Sequence, residues 1–374
     1  MSVLHRLLAT AATAALTVSA GLVMSASASA SSPPPFISQF SKLKTIASTV
    51  PGNGDVNPYG IVVVRLNRGK LRRGDILVSN FNNKANLQGT GTTIVQVSPG
   101  GKQTLFARIT RSELTGRCPG GVGLTTALEV LRGGWVVVGS TPSKNGMAAT
   151  AKAGCLIVLN SNGIVRETIS GNGINGPWDM AVLRKGLNAD LFVTNVLNGT
   201  VAAGGKTVRH GTVLRLIVTT PARGLPRLIG DTVIGSGFPE QTNSSALVIG
   251  PTGVGLGRNG TLYVADTLGN RIAAIPNALL RGRSADTGLT VSRNGALQGP
   301  LGVAIAPNGN ILAVNSLNGN LVEVKPNGSQ VAVKKLDTSG SPAGAGALFG
   351  LAVAPYGNGV YFVDDATNTL DLLH

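Results

Sequence analysis

Short polar residues end six apolar, strand-like segments of this sequence, and they are residue types that could bind a metal ion. In chain order they are Asn80, Ser140, Asn195, Asp266, Asn315 and Asp365. Carboxylate and amide oxygens are hard ligands that suit Ca²⁺. We therefore predict a calcium-type metal set that also includes a carboxylate before the third segment: Asp179, Asn195, Asp266, Asn315 and Asp365. The alternative is structural, because Asp and Asn at strand ends also bond the next backbone amides.

A second group of side chains could bind an organic ligand near the same segment ends. It comprises Tyr59, Asn80, Phe81, Trp178, Asp179, Asn195, Arg209 and His210. Tyr59 and Trp178 hold equivalent positions, where aromatic rings could stack on a sugar or fill an opening. His210 is the one histidine away from the chain ends, and no nucleophile-elbow motif accompanies it. The sequence therefore leaves the catalytic residues unassigned.

Internal repetition shows which elements must position these residues. Residues 250–256 read GPTGVGL and are followed by an Asn-Gly pair and by TLYVAD at 261–266. Residues 299–305 read GPLGVAI and are followed by a second Asn-Gly pair and by NILAVN at 310–315. Asn-Gly is the strongest short hairpin signal, because both residues tolerate positive φ. Each unit is therefore predicted to be a hairpin of two apolar strands.

Weaker copies of this unit bring the number to six. They begin at residues 57, 121, 176 and 348, and the units are spaced by roughly 50 to 75 residues, which suits propeller blades with loop insertions. With its Gly-Pro-x-Gly starts, its Asn-Gly turns and YVADTLGNRI at 263–272, the chain resembles the NHL-repeat family, in its secreted bacterial form. The resemblance implies an all-β, six-bladed propeller of four-stranded antiparallel blades around a central channel.

The sixth unit lacks a fourth strand of its own. Outer-strand candidates follow each of the first five units, but the chain reaches His374 directly after residues 370–373. Residues 43–47 form a spare apolar strand near the start. We therefore predict that this strand closes the ring by pairing with residues 369–373, which would remove exposed sheet edges.

Long loops are concentrated on one face of the predicted propeller. Loops that lead into inner strands share a face with loops that join second to third strands. The long ones are residues 80–92, 140–154, 195–211 and 235–250. We call this the loop face and expect function there, since long loops in compact proteins are often functional. Cys118 and Cys155 flank one such loop, and a disulfide between them is predicted.

The N-terminal sequence predicts that the protein is exported from the cytosol. Residues 1–30 have the basic start, apolar run and small-residue cleavage site of a signal peptide, residues 31–40 read as a Ser/Pro-rich linker, and 41–374 as one propeller domain. The protein is thus expected to be secreted, extracellular or periplasmic, and monomeric.

The net charge of +16 favours anionic partners. No basic helix or aromatic-basic pattern indicates nucleic-acid binding.

Two functions are compatible with these features. The first is a non-catalytic binding propeller that presents its loop face to a glycan, a small molecule or an anionic cell-surface polymer. The alternative is a calcium-dependent hydrolase or lyase of the gluconolactonase-like propeller type. The first is favoured here because the sequence offers few recognisable acids, bases or nucleophiles.

Overall fold

A computed structural model of the chain describes residues 34–374 and shows an all-β propeller of six sheets. The signal peptide predicted for residues 1–30 lies outside the described residues. Short 3₁₀ turns are the only helical elements between residues 34 and 374: Phe36–Gln39, Arg111–Glu113, Arg132–Gly134, Ala148–Thr150 and Pro355–Gly357. In this same range no helix has the length and apolar character that a membrane crossing needs.

The blades follow the repeat units in order, starting after strand β1 (Leu43–Ser48). Blade one contains β2 (Val56–Val63), β3 (Ile76–Asn82), β4 (Thr93–Val97) and β5 (Gln103–Arg108). Blade two contains β6 (Leu124–Val130), β7 (Val136–Ser140), β8 (Cys155–Leu159) and β9 (Val165–Ile169). Blade three contains β10 (Gly176–Lys185), β11 (Asn188–Val196), β12 (Val208–Thr219), β13 (Arg227–Asn243) and β14 (Leu247–Ile249).

The last three blades are more regular. Blade four contains β15 (Pro251–Leu256), β16 (Leu262–Asp266), β17 (Arg271–Ile275) and β18 (Leu289–Arg293). Blade five contains β19 (Pro300–Ile305), β20 (Ile311–Asn315), β21 (Asn320–Val324) and β22 (Gln330–Lys335). Blade six contains β23 (Leu348–Val353), β24 (Val360–Asp364) and β25 (Thr369–Leu373), with β1 as its outer strand.

The predicted ring closure is confirmed. Strand β1 pairs antiparallel with β25, with Leu43 opposite Leu373 and Ser48 opposite Thr369. Thr45 Oγ1 also donates to Asp371 Oδ1 across this pair at 2.6 Å. The predicted disulfide is present as well, with the Cα atoms of Cys118 and Cys155 5.3 Å apart.

The segment before β1 packs more tightly than a linker would. Phe36, Ile37 and Phe40, which fall in the predicted 31–40 linker, are buried against blades five and six. The backbone amides of Phe36 and Ile37 donate to the Glu323 carboxylate at 2.9 and 2.8 Å. Asn308 and Asn310 donate to the same carboxylate at 3.0 and 2.6 Å. Glu323 therefore anchors the start of the described chain.

Blade three departs from the regular pattern. The connection predicted as a loop at 235–250 is mostly strand, because β13 continues to Asn243 and turns back into β14. The extended part of β13 pairs with the start of β12, with Glu240 opposite Val208. Blade three thereby rises beyond the other blades on the loop face.

We call the opposite face the turn face. It is formed by the turns between first and second strands and between third and fourth strands.

Deleting residues 1–48 should abolish cooperative unfolding of the protein. The deletion removes β1 and the Glu323-bound segment, so blade six keeps an unpaired edge and the ring stays open. The expected loss exceeds about 5 kcal/mol, the lower end of typical domain stability. Urea unfolding followed by circular dichroism is the measurement, with deletion of residues 1–33 as the control. A cooperative transition of normal midpoint in the longer deletion would contradict the closing role of β1.

Candidate active site

The loop-face end of the central channel is filled by aromatic side chains. Tyr59 stacks on Phe349 with ring centroids 3.9 Å apart, on Phe81 at 4.4 Å and on Trp178 at 5.6 Å. All four rings are buried. We call these four residues the aromatic plug. Tyr59 and Trp178 could have stacked on a sugar or filled the opening. In the structure both side chains fill the opening.

Blade three covers the aromatic plug. The indole N–H of Trp178 donates to the carbonyl oxygen of Val248 in β14 at 3.1 Å. Leu247 and Val248 are buried in the same apolar cluster as the plug, and Leu301 packs there from blade five. The long segments of the loop face therefore serve to cover an apolar plug.

The strand-end polar residues are engaged in local hydrogen bonds. Asn80 Nδ2 donates to the Thr49 carbonyl at 3.0 Å, and Asn195 Oδ1 accepts from the amide of Asn175 at 2.8 Å. Asp266 Oδ2 accepts from Arg271 Nε at 2.8 Å. Such local contacts are the alternative to metal binding that Asp and Asn residues have at strand ends.

The remaining members of the predicted metal set lie in separate blades. Asn315 Nδ2 donates to the Ala296 carbonyl at 2.8 Å. Ser140, a strand-end residue outside that set, donates from its Oγ to the Gly121 carbonyl at 2.8 Å. Asp365 is half-buried directly after β24, where burial, followed by the nearby Asp364 charge, raises its pKa to about 7. No three His, Cys, Asp or Glu side chains within residues 34–374 are grouped so that they could hold a metal ion. The described donor set does not fit a calcium site, which needs six to eight oxygen ligands.

Arg209 and His210 lie apart from the plug, on the exposed start of β12. His210 Nδ1 stands 3.0 Å from the Asn198 carbonyl oxygen, and the ring is otherwise exposed. The structure therefore does not bring this histidine together with Trp178 or Asp179.

The channel is open at its other end, on the turn face. It forms a well of about 280 Å³ between the six inner strands β2, β6, β10, β15, β19 and β23. Half of the residues that line it are Val, Leu or Ile of these strands. The polar groups on the wall are Arg65, Thr126, Glu129, Asp179 and Arg184. A concave site with a few convergent polar groups is a usual form of a small-molecule site.

Asp179 is the buried carboxyl of this well, with 9% of its surface exposed. Its Oδ1 accepts from the Met180 amide at 2.8 Å, and its Oδ2 accepts from the Val254 amide at 3.0 Å. Burial raises the pKa of Asp179 to about 8, against the lowering effect of the two amides, and the Glu129 charge adds to the rise. The carboxyl is therefore mostly protonated at neutral pH.

Glu129, at the end of β6, is the second carboxyl of the well. Its Oε2 lies 2.9 Å from Arg184 Nη2, and its side chain is 19% exposed. The pKa of Glu129 is raised overall, because the effect of burial exceeds the lowering effect of the Arg184 and Arg65 charges. Arg184 is held in place by Nε, which donates to the Val130 carbonyl at 3.0 Å. The well thus combines a neutral carboxyl with an arginine-paired one.

Sequence reasoning identified Asp179 but missed Glu129, Arg184, Arg65 and Thr126. It examined the ends of second strands, whereas these residues belong to inner strands β6 and β10 or lie just after β2. A usable signal was present: Glu129 and Arg184 interrupt otherwise apolar stretches of the inner strands. A charged residue at such a position faces the channel or needs a partner.

Several solved structures share this architecture. A gluconolactonase of Xanthomonas campestris aligns with a TM-score of 0.54 at 12% identity over 88% of each chain. Regucalcin of Agrobacterium tumefaciens, described as calcium-binding, aligns with a TM-score of 0.52 at 12% identity over 88% of this chain and 93% of its own. A PQQ-bound aldose sugar dehydrogenase of Streptomyces coelicolor aligns with a TM-score of 0.51 at 17% identity over 88% and 97%.

At these identities the similarity establishes the fold, a six-bladed propeller. No protein-family model matches the sequence. No curated protein matches it either.

The prediction of a non-catalytic binding propeller is wrong. It is overturned by the structural neighbours, which include a gluconolactonase and a sugar dehydrogenase and so favour the catalytic alternative. The loop face, to which that prediction assigned the ligand, has its channel opening filled by the aromatic plug.

The free energy of unfolding should fall as pH rises from about 4 to 8. The pKa of Asp179 is raised to about 8 in the folded state, so the folded chain retains a proton that the unfolded chain releases near pH 4. Asp365 and Glu240, whose pKa values are raised to about 7, act in the same direction.

Asp179→Asn should reduce this fall by about 2 kcal/mol or more between pH 5 and pH 9. Urea unfolding at several pH values measures it. Parallel pH curves for wild type and variant would contradict the buried, neutral state of Asp179.

Proposed function

We propose that the protein hydrolyses small esters or lactones by general acid–base chemistry in the turn-face well. The observation that carries this proposal is the presence in one cavity of two carboxyls with different partners: Asp179, bonded to two backbone amides, and Glu129, paired with Arg184. Burial raises the pKa of both groups, to about 8 for Asp179, and at Glu129 the Arg184 charge opposes that rise. This difference in environment assigns Asp179 as the acid and Glu129 as the base. This is the hydrolase branch of the catalytic alternative.

The proposed reaction uses groups of the chain and one water molecule. The Glu129 carboxylate accepts a proton from water as the water oxygen bonds to the carbonyl carbon. The Asp179 carboxyl donates its proton to the leaving alkoxide oxygen as the carbon–oxygen bond breaks. The products are an acid and an alcohol, joined in one molecule if the substrate is a lactone. Proton exchange with solvent then returns both carboxyls to their starting states.

One further wall group supports the transition state. Arg184 is 34% exposed at the well opening and lies beside Glu129. Its charge favours both the developing oxyanion and a carboxylate product. The volume of about 280 Å³ limits the substrate to a compact molecule.

The gluconolactonase-like alternative differs from this proposal in that the hydrolysis would depend on Ca²⁺. The regucalcin neighbour is described as calcium-binding. The described residues of this chain offer two carboxyls in the well, one already bonded to two amides and the other to an arginine. This donor set does not fit the ion.

We also propose that the chain is an exported NHL-repeat propeller. The Asn-Gly hairpins of blades four and five support the family, and the Cys118–Cys155 disulfide supports an oxidising compartment. An exported hydrolase that acts on small molecules is consistent with a well that opens directly to solvent on one face.

Glu129→Gln and Asp179→Asn should each lower kcat/KM for p-nitrophenyl acetate or δ-valerolactone by about 100-fold or more, the usual contribution of a positioned acid or base. The matched control is Asp371→Asn, which changes a buried carboxyl of blade six outside the well and should leave the rate unchanged. The wild-type rate should decline above about pH 8, as Asp179 loses its proton.

Activity should persist in the presence of EDTA, because the proposed steps use protein groups alone. Loss of activity on chelation and its return with Ca²⁺ would support the calcium-dependent alternative instead. Wild-type rates for both variants, with circular dichroism showing them folded, would remove the well as the active site.

A further inference from the structure

A cleft on the turn face, separate from the well, carries the second tryptophan of the chain. Turns of blades one, two and three surround a space of about 460 Å³. Its wall is formed by Arg68, Arg132, Gly133, Trp135, Thr220, Pro221, Ala222 and Gly224. We call this space the Trp135 cleft. No acidic side chain contributes to its described wall.

The turn that presents Trp135 is built to leave its ring accessible. Gly133 and Gly134 adopt φ values of 78° and 76°, which other residues rarely tolerate. A Cβ at Gly133 would stand 3.5 Å from the Trp135 ring and 3.8 Å from Arg68 Nη1. The missing side chain therefore leaves open the space between the indole and the guanidinium. Trp135 itself is half-buried and packs against the apolar cluster of blades two and three, which fixes its position.

The two arginines of the cleft are available for a ligand. Arg68 and Arg132 are exposed, and within residues 34–374 neither guanidinium forms a hydrogen bond or an ion pair. A guanidinium presents a planar fork of donors that matches a carboxylate or a phosphate. The two guanidinium groups can therefore bind a negatively charged group of a ligand, and the indole ring beside them can pack against an apolar ring face of the same ligand.

The surroundings of the cleft attract anions. Exposed basic residues in the neighbouring turns of this face are Arg65, Lys70, Arg72, Arg73, Lys102, Arg184 and Lys185. Glu129 and Asp190 are ion-paired with Arg184 and Lys185. The turns of blade one contain one acidic residue, Asp75 near Arg72, and so keep an excess of positive charge. A net positive field of this kind concentrates anionic ligands near the surface.

We infer that the Trp135 cleft binds an anionic sugar unit, with the ring against Trp135 and its carboxylate or phosphate between Arg68 and Arg132. A single indole serves a single ring, whereas grooves for single-stranded nucleic acid stack successive bases on several aromatics. The disulfide indicates an oxidising compartment. This inference uses residues outside the well and does not rest on the proposed hydrolase activity.

Titration of the full chain with tri-galacturonate and with glucose 1-phosphate tests the inference and separates carboxylate from phosphate recognition. Binding of at least one probe should be saturable and should change Trp135 emission, and the change should vanish in Trp135→Phe. Arg68→Gln and Arg132→Gln should each weaken binding about tenfold, the effect of one lost charge-assisted hydrogen bond. Maltotriose, a neutral oligosaccharide, should bind at least about tenfold more weakly for the same reason.

The matched control is Arg258→Gln, which removes an exposed charge from the corresponding turn of blade four, outside the cleft. It should leave affinity unchanged, and melting temperatures should show that all variants are folded. Three results would overturn the inference: no saturable binding of either probe, equal losses in the Arg258 and Arg132 variants, or tighter binding of heptathymidylate than of the sugars.

Discussion

The antiparallel pairing of β1 with β25 is the constraint on which the rest of the structure depends. Each inner strand lines the channel only if six blades are held in a ring, and the ring exists only while the first strand completes the last blade. The Glu323 carboxylate reinforces this closure from blade five by binding the amides of Phe36 and Ile37. A buried carboxylate that accepts four hydrogen bonds holds a chain segment more firmly than apolar packing alone.

The closed ring has two unlike ends, and this asymmetry decides where chemistry can occur. At the loop face, Tyr59, Trp178 and their neighbours fill the opening, and blade three covers them. At the turn face the inner strands end without such a cover, so Asp179 and Glu129 remain reachable from solvent. The long loops, which suggest a binding face when only the sequence is considered, instead contribute to packing.

The fold was accessible from the sequence because its determinants are local. The Asn-Gly turns and the apolar runs fix the hairpins, and counting strands finds the one that closes the ring. The site was less accessible because it depends on backbone irregularities. The pairing of β10 with β11 shifts register between Pro177 and Met180, so that Trp178 joins the plug and Asp179 points into the well. The same shift occurs in the inner strand of every blade and so belongs to the repeat, but the residue types alone do not show which side chain it turns toward the channel.

The aromatic plug determines how molecules can enter and leave the well. A channel open at both ends could pass a long chain through the ring, but here Tyr59 and Phe349 stack 3.9 Å apart and stop any such passage. Whatever enters the well must leave by the route it came, so a departing molecule and an arriving one compete for the same opening. The protein is therefore suited to short, separate molecules or to the free end of a polymer, and not to continuous movement along one.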